Sequence, residues 1–295
     1  MEIQRPYEWL VRPDAVKDRS RIDVRQGIKF DLSDRPDIAA LIDAEWELFN
    51  QPLREKGSRW ADVSNPRYTL SRYEVNQEGV LSVALGPLEY KYMAMTHDLA
   101  LTKPEVFETI KAAGKLPYTV GVSCAIKTAD GLMLVLERSA AVSALPNLYH
   151  VVGGYPHPEA FVPPNIPLEG RMDWAKKQID PKRINLFEAV RMQIRAETGL
   201  GSGTYQMWVA GIAHDPRILE PEIIFCADAS LTLAEVLKLP KPSGWETKQF
   251  HGWTPRDTGR IMAEQPDRWV AVGMAALDAH RMIYETEKKG LKTKS

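Results

Sequence analysis

Asn185-Leu-Phe-Glu-Ala-Val-Arg-Met-Gln-Ile-Arg-Ala-Glu-Thr-Gly-Leu200 is the stretch whose reading decides the fold. Asn185 is a good N-cap and Gly199 a good terminator, so the spacing predicts a helix over Leu186–Thr198. At about 100° per residue, Leu186, Val190, Gln193 and Glu197 fall on one stripe. Ile194 and Phe187 flank it on one side, Ala189 and Ala196 on the other. Glu188, Arg191 and Arg195 lie opposite, where an i,i+3 pair contributes only about 0.2–0.5 kcal/mol. Glu197 is the residue that stands out. A carboxylate on an inward stripe must be paired, hydrogen-bonded or metal-bound, because an isolated buried charge is very costly. It is therefore either a structural, paired Glu near the helix end or a ligand.

Upstream of this helix, Tyr118–Lys127 and Leu132–Glu137 are strands joined through Asp130-Gly131, a strong hairpin signal. Tyr149–Val152 is a short strand leading into Gly153-Gly154. Residues 155–183 are rich in proline and charge and are read as an insertion or long loop, with a short helix at Arg171–Gln178. Downstream come strands at Gln206–Ala213, Glu222–Ala227 and Lys248–Trp253, a short helix at Leu231–Leu237, a helix capped by Thr254 and opened by Pro255, and a long helix at Trp269–Lys288. The last carries Val270, Met274, Leu277 and Met282, which suit internal packing or a dimer seam. The N-terminal region reads as an edge strand within Ile22–Leu32, a helix at Pro36–Phe49, a loop at Arg54–Asn65, and strands at Tyr68–Tyr73 and Gly79–Leu88 around an Asn76–Gly79 turn. A helix at Pro104–Ala113 follows. The order gives an α/β (α+β) fold with a mixed sheet between helices, without the regular βαβ alternation of a doubly wound sheet. Residues 1–116 are expected to form an N-terminal extension and 117–295 the main domain.

Tyr149-His-Val-Val-Gly-Gly154 followed by Glu188-Ala-Val-Arg-Met-Gln-Ile-Arg-Ala-Glu-Thr-Gly-Leu200 resembles the Nudix superfamily. The signature there runs Gly-x5-Glu-x7-Arg-Glu-U-x-Glu-Glu-x-Gly-U, with U apolar. Glu197-Thr-Gly-Leu200 matches its end, and Ile194 its apolar position. Ile42-Asp-Ala-Glu-Trp46, Leu85-Gly-Pro-Leu-Glu-Tyr90, Gly153-Gly-Tyr-Pro-His-Pro-Glu159, Gly211-Ile-Ala213 and Glu222-Ile-Ile-Phe225 are similar to segments of the animal branch that hydrolyses UDP-glucose and UDP-galactose. The resemblance implies a pyrophosphohydrolase that uses Mg²⁺ or Mn²⁺, with Glu197 and Gln193 at the metal. The helix departs from the signature where it matters most. Met192 stands in place of the Arg, and Gln193 and Ala196 in place of two glutamates. Hard cations need oxygen ligands, and Gln193 offers only a neutral one. Loss of a general base alone lowers rates by about 10²–10⁴-fold.

Other residues fill out the candidate site. Glu222 opens a strand and is read either as a compensating carboxylate or as a solvated strand end. Gly153 and Gly154 allow close backbone approach to a ligand or serve a tight turn. Arg138 suits a phosphate or a sheet-edge salt bridge. Thr96 and His97 belong to what reads as a polar turn near a UDP-sugar pocket, or to a surface cap. Glu159 reads as a ligand or as loop surface.

The chain has 295 residues, with 38 Lys+Arg against 39 Asp+Glu. A balance this even argues against a nucleic-acid polymer as partner, while leaving room for a local phosphate pocket. Cys124 and Cys226, both in apolar runs, read as buried thiols. No apolar run approaches the ~20 residues of a membrane span, and the N-terminus has no apolar signal core, so the expectation is a cytoplasmic protein with a small nucleotide-like ligand. Two readings of function follow. One is a metal-dependent hydrolase of a nucleoside diphosphate-linked substrate, UDP-sugars among the candidates, weakened by its thinned carboxylates. The other is a degenerate module that binds such a ligand, or works by metal-free chemistry at His150, His157 or His214, without hydrolysis.

Overall fold

The computed structural model describes residues 5–55, 66–140, 142, 145–156, 184–241 and 246–292. The expected helix at Arg171–Gln178, His157 and Glu159 lie outside the described residues.

The main sheet is built from β1 (Glu8–Val11), β5 (Gly121–Lys127), β6 (Met133–Arg138), β9 (Tyr205–Asp215), β10 (Glu220–Ala229) and β11 (Thr247–Trp253), in the order β1-β9-β10-β5-β6-β11. Two short strands join it: β7 (Tyr149–His150) pairs with β6, and β8 (Val152–Gly154) pairs with β5. The sheet is mixed, because β10 runs parallel to β5 while its other ladders are antiparallel. Such a central parallel pair is buried on both faces, and its strands read as continuous apolar runs for that reason. Cys124 and Cys226 sit on these two strands as buried free thiols.

A second sheet holds β2 (Asp18–Gln26), β4 (Val80–Glu89) and β3 (Pro66–Val75), in the order β2-β4-β3. The Asn76–Gly79 turn closes as expected, with Gly79 N–H donating to the Asn76 carbonyl at φ 79°. Helices α1 (Pro36–Glu55), α2 (Tyr90–Thr102) and α3 (Pro104–Ala112) form their own apolar cluster around Ile42, Met95, Leu99 and Phe107. The two regions are sewn together. Leu70 N–H donates to the Tyr118 carbonyl and Val120 N–H to that of Tyr68, at 2.8 and 2.9 Å. One buried cluster then runs from Tyr68, Leu81 and Leu85 of the small sheet to Val122 and Phe225 of the large one and Ile194 in the segment that follows β8.

Helix α4 (Leu186–Thr198) covers one face of the main sheet, packing on β8 and β5. Its caps are those read from the sequence. Glu188 N–H donates to the Asn185 side chain at 3.3 Å, and Gly199 takes φ 79° while its N–H meets the Arg195 carbonyl. The remaining helices are α5 (Leu233–Lys238), α6 (Pro255–Glu264) and α7 (Ala271–Lys292). Helix α7 covers the opposite face, where Met274 and Leu277 are buried against Ala125, Ile224 and Cys226. Its Asp278, buried, accepts from Arg5, from the Tyr7 hydroxyl and from Arg281 at 3.0 Å, so the chain's first described residues are tied to its last helix.

Two expectations change here. The region before β2, where the sequence offered no strand, holds Glu8–Val11 paired with β9 at the sheet edge. Its four residues are too short to show a period. Thr96-His97-Asp98 is not a turn but part of helix α2. Met93, Ala94, Met95, Thr96, His97 and Leu99 are all buried there. A helix enclosed on most sides loses the apolar stripe by which a surface helix is recognised.

Candidate functional site

A cavity of about 370 Å³ opens where β8, α4 and the start of β10 meet α2 and β3. Arg138, His97, Gly153, Gly154, Gln193 and Glu222 line it, and so do Arg67, His150, Tyr155, Glu220 and Glu246. His97, Arg138, His150, Gly153, Gly154, Gln193 and Glu222, all singled out in the sequence, therefore share one space. Glu197 sits just behind the wall, accepting a hydrogen bond from Gly153 N–H at 3.3 Å. Thr96 is buried elsewhere on its helix, its hydroxyl donating to the Tyr92 carbonyl at 2.7 Å.

The two glycines lie in a strand rather than in a turn, and neither has a positive φ. Their reason is close approach. A Cβ on Gly154 would meet Gln193 Nε2 at 2.7 Å, and one on Gly153 would meet Ser123 Oγ at 3.0 Å and His150 Nε2 at 3.1 Å. Gly121 makes room in the same way on the neighbouring strand, where a Cβ would meet Glu222 Cγ at 2.8 Å. This follows from the parallel register, which sets Glu222 beside Gly121.

The helix contributes little charge to this space. Glu188 is exposed and pairs with Arg191, so it faces solvent. Met192 is 46 % exposed, and Gln193 packs its neutral amide against Gly154. Only Glu197 is buried and acidic. Burial, and secondarily the charge of Glu246, hold its pKa well above the usual carboxylate range, against the lowering effect of Gly153 N–H and Arg138.

Strand β10 supplies more. Glu220 and Glu222 are two residues apart, so both project from the same side of the strand. Both are buried and both line the cavity. Glu222 accepts from the Ser123 hydroxyl, and Glu220 lies 3.3 Å from His97 Nε2. Burial raises both pKa values, and for Glu222 the neighbouring Glu220 raises it further. The positive charge of Arg138 works in the opposite direction on Glu197, Glu220, Glu222 and Glu246 alike. The solvated strand-end alternative for Glu222 is thus removed by its burial.

The imidazoles are held neutral. Burial lowers His97 to about 4, and burial with the Arg138 charge lowers His150 to about 3. His214 is not in the cavity and meets Glu8 at 2.9 Å across the β1–β9 ladder. Glu220, Arg67 and Tyr155 were not singled out in the sequence. Only the two-residue spacing of Glu220 and Glu222 could have signalled the first, and nothing local marks the others. Among the described residues, no three His, Cys, Asp or Glu side chains gather so as to hold a metal ion. None of the described helices is long and apolar enough to cross a membrane. A larger cavity of about 630 Å³ lies on the other side of the sheet, between α6 and α7, with Met133, Met262 and Leu277 in its wall.

No family model matches the chain. Over 49 residues, 17 % of each protein, it is 43 % identical to the uridine diphosphate glucose pyrophosphatase NUDT22 of Bos taurus. Among solved structures, the MutT protein of Methanosarcina mazei Go1 overlaps with a TM-score of 0.37 at 18 % identity, over 58 % of this chain and 96 % of that one. The Nudix domain of Shewanella oneidensis NrtR, complexed with ADP ribose, overlaps with a TM-score of 0.34 at 11 % identity, over 62 % of this chain and 99 % of that one. A C. elegans Ap4A hydrolase gives a TM-score of 0.34 at 10 % identity, over 56 % and 98 % of the two chains. The chain has a mixed sheet between helices, and the residues of its Gly-Gly strand and α4 resemble the Nudix signature.

Proposed function

We propose that the protein is a Nudix-type pyrophosphohydrolase acting on a nucleoside diphosphate-linked substrate, with UDP-sugars the first candidates. The observation that carries this reading is the meeting of Gly153, Gly154, Gln193, Glu222 and Arg138 in one cavity with Glu197 directly behind it. Gly153, Gly154, Gln193, Glu197 and Glu222 come from the segments that resemble the family, and the short match to the bovine UDP-glucose pyrophosphatase supports the UDP-sugar branch.

In this reading Arg138 neutralises part of the diphosphate charge, and the Gly153–Gly154 backbone lets the ligand approach the sheet closely. Glu222 takes the proton of the attacking water. Burial and the neighbouring Glu220 raise its pKa to about 8, so its ionised fraction, and with it the rate, grows as pH rises toward that value. The Ser123 hydroxyl holds its carboxylate in place. The resemblance also implies Mg²⁺ or Mn²⁺, with Glu197 and Gln193 as the residues at the ion. One carboxylate and one neutral amide do not complete the oxygen set such a cation requires.

The second reading is a module that binds a nucleotide-like ligand without cleaving it. Gln193, packed against Gly154 where the signature has a glutamate, favours it. One experiment separates the two. The protein at high concentration is incubated with UDP-glucose, ADP-ribose and diadenosine tetraphosphate, with Mg²⁺, with Mn²⁺ and with EDTA. Metal-dependent release of monophosphate supports hydrolysis. No release across the panel, with binding that survives EDTA, overturns it in favour of the module.

A further inference from the structure

The cavity of about 630 Å³ between α6 and α7 has the build of a ligand site of its own. Its volume lies within the roughly 300–1,000 Å³ of small-molecule sites. Met133 of β6, Met262 of α6 and Leu277 of α7 are buried and give it apolar walls. Gly259 of α6 leaves part of that wall bare. It stands in mid-helix, where glycine is disfavoured against alanine. Its φ is not positive, so the backbone does not call for glycine. A Cβ there would meet nothing within 4 Å, so packing does not call for it either. The missing side chain leaves room that a ligand can take.

The charged side chains in the lining are three cations, Lys127, Arg256 and Arg281, against two acids, Asp278 and Glu285. Two of the cations are neutralised. Lys127 pairs with Asp228 at 3.0 Å, and Arg281 with Asp278 at 3.0 Å. Arg256 is exposed in the first turn of α6 and makes no hydrogen bond or ion pair with the described residues. Its neighbour Asp257 is held by Thr254 and Arg260 and meets Arg256 only as a nearby charge. The cavity therefore joins an apolar interior to a cation that the protein itself does not neutralise.

We propose that this cavity binds a small organic anion with an apolar body, its hydrocarbon against Met133, Met262 and Leu277 and its carboxylate toward Arg256. The site is separate from the one assigned to the diphosphate, since α7 and α4 cover opposite faces of the main sheet. It stands whether or not that assignment holds.

The test uses the full-length protein with decanoate and decylammonium, which share a chain and differ in the sign of the head, and measures binding by calorimetry. Decanoate should bind one-to-one and more tightly than decylammonium. Gly259→Leu, which fills the bare wall, should weaken decanoate by about tenfold or more. Arg256→Gln should weaken decanoate by about two- to fivefold, the size of one partly exposed ion pair, and should not weaken decylammonium. Thermal unfolding of each variant reports on the fold. Arg256 is exposed, so its variant carries the comparison if the leucine variant unfolds. The site is wrong if decanoate does not bind, or if a folded Gly259→Leu protein binds it as the wild type does. The anionic assignment is wrong if decylammonium binds as tightly, or if Arg256→Gln leaves decanoate unchanged or weakens both probes alike.

Discussion

Helix α4 and the first turn of strand β10 face the same cavity with opposite endowments. The helix carries the family-like sequence and offers one buried carboxylate, Glu197, already bonded to Gly153 N–H. The strand lies outside the catalytic-helix signature and offers two, Glu220 and Glu222, both buried and both in the cavity wall. The contrast shows that a motif and the chemistry it usually serves can separate. On the proposed reading, Gln193 and Ala196 stand at the signature's positions, while the acidic groups stand across the cavity on β10.

The largest expected effect tests which of the two elements does the work. Glu222→Gln should lower kcat on a cleaved substrate by about 10²–10⁴-fold, the range for loss of a general base. Glu197→Gln, which replaces a carboxylate behind the cavity wall rather than in it, should cost less while leaving the unfolding midpoint near that of the wild type. A larger loss at Glu197 than at Glu222 would return the chemistry to the helix.

Two glycines sharpen the same question without replacing a charged group. Gly121→Ala pushes on Glu222 Cγ and Cδ, whereas Gly154→Ala pushes on the Gln193 amide. Since a displacement of about 1 Å can cost on the order of 10²-fold, Gly121→Ala should depress kcat by about ten- to a hundredfold. Gly154→Ala should act less. Steady-state kinetics on the two variants decides, and the reverse order counts against the strand.

Restoring the signature addresses the helix directly. Gln193→Glu combined with Ala196→Glu should raise Mg²⁺ or Mn²⁺ affinity by about tenfold in calorimetry, because hard cations gain from added carboxylates. No gain would mean that this face of α4 is not at a metal position.

The smallest effect is a slope of stability with pH. Glu197, Glu220 and Glu222 have folded-state pKa values raised by burial. The folded protein therefore holds more protons than the unfolded chain above the ordinary carboxylate range. Their contribution is full below about pH 4.3 and is lost as pH rises through the raised values. His97 and His150, lowered by burial, act in the other sense: their contribution is present above about pH 6.5 and lost as pH falls toward their folded values. Melting curves should thus show Glu222→Gln flattening the alkaline decline only. A decline unchanged in that variant would mean that Glu222 is not buried as described.

The fold was largely legible because its signals are local. Asn185, Gly199, the Asp130-Gly131 turn and the apolar runs of β5 and β10 each act through neighbouring residues. The site was legible only in part. Glu222, Arg138 and the two glycines could be named from their places in the chain, but what surrounds them could not. Arg67, Tyr155 and Glu220 join the cavity through a seam between regions far apart in sequence, and no local pattern encodes a seam. Helix α2 was missed for a related reason: enclosed by α1, α3 and the strands of the small sheet, it has no polar face to give it a period. The glycines of β8 were ambiguous between turn and close approach until Gln193 and Ser123 were seen beside them.

The central claim is that the cavity between β8, α4 and β10 receives the diphosphate. It is tested most directly by a crystal structure of the Glu222→Gln protein with UDP-glucose. The account expects the diphosphate in that cavity, against the Gly153–Gly154 backbone and within reach of Arg138. Ligand bound instead in the cavity beneath the C-terminal helix, beside Met133 and Leu277, or no ligand at saturating concentration, would contradict it.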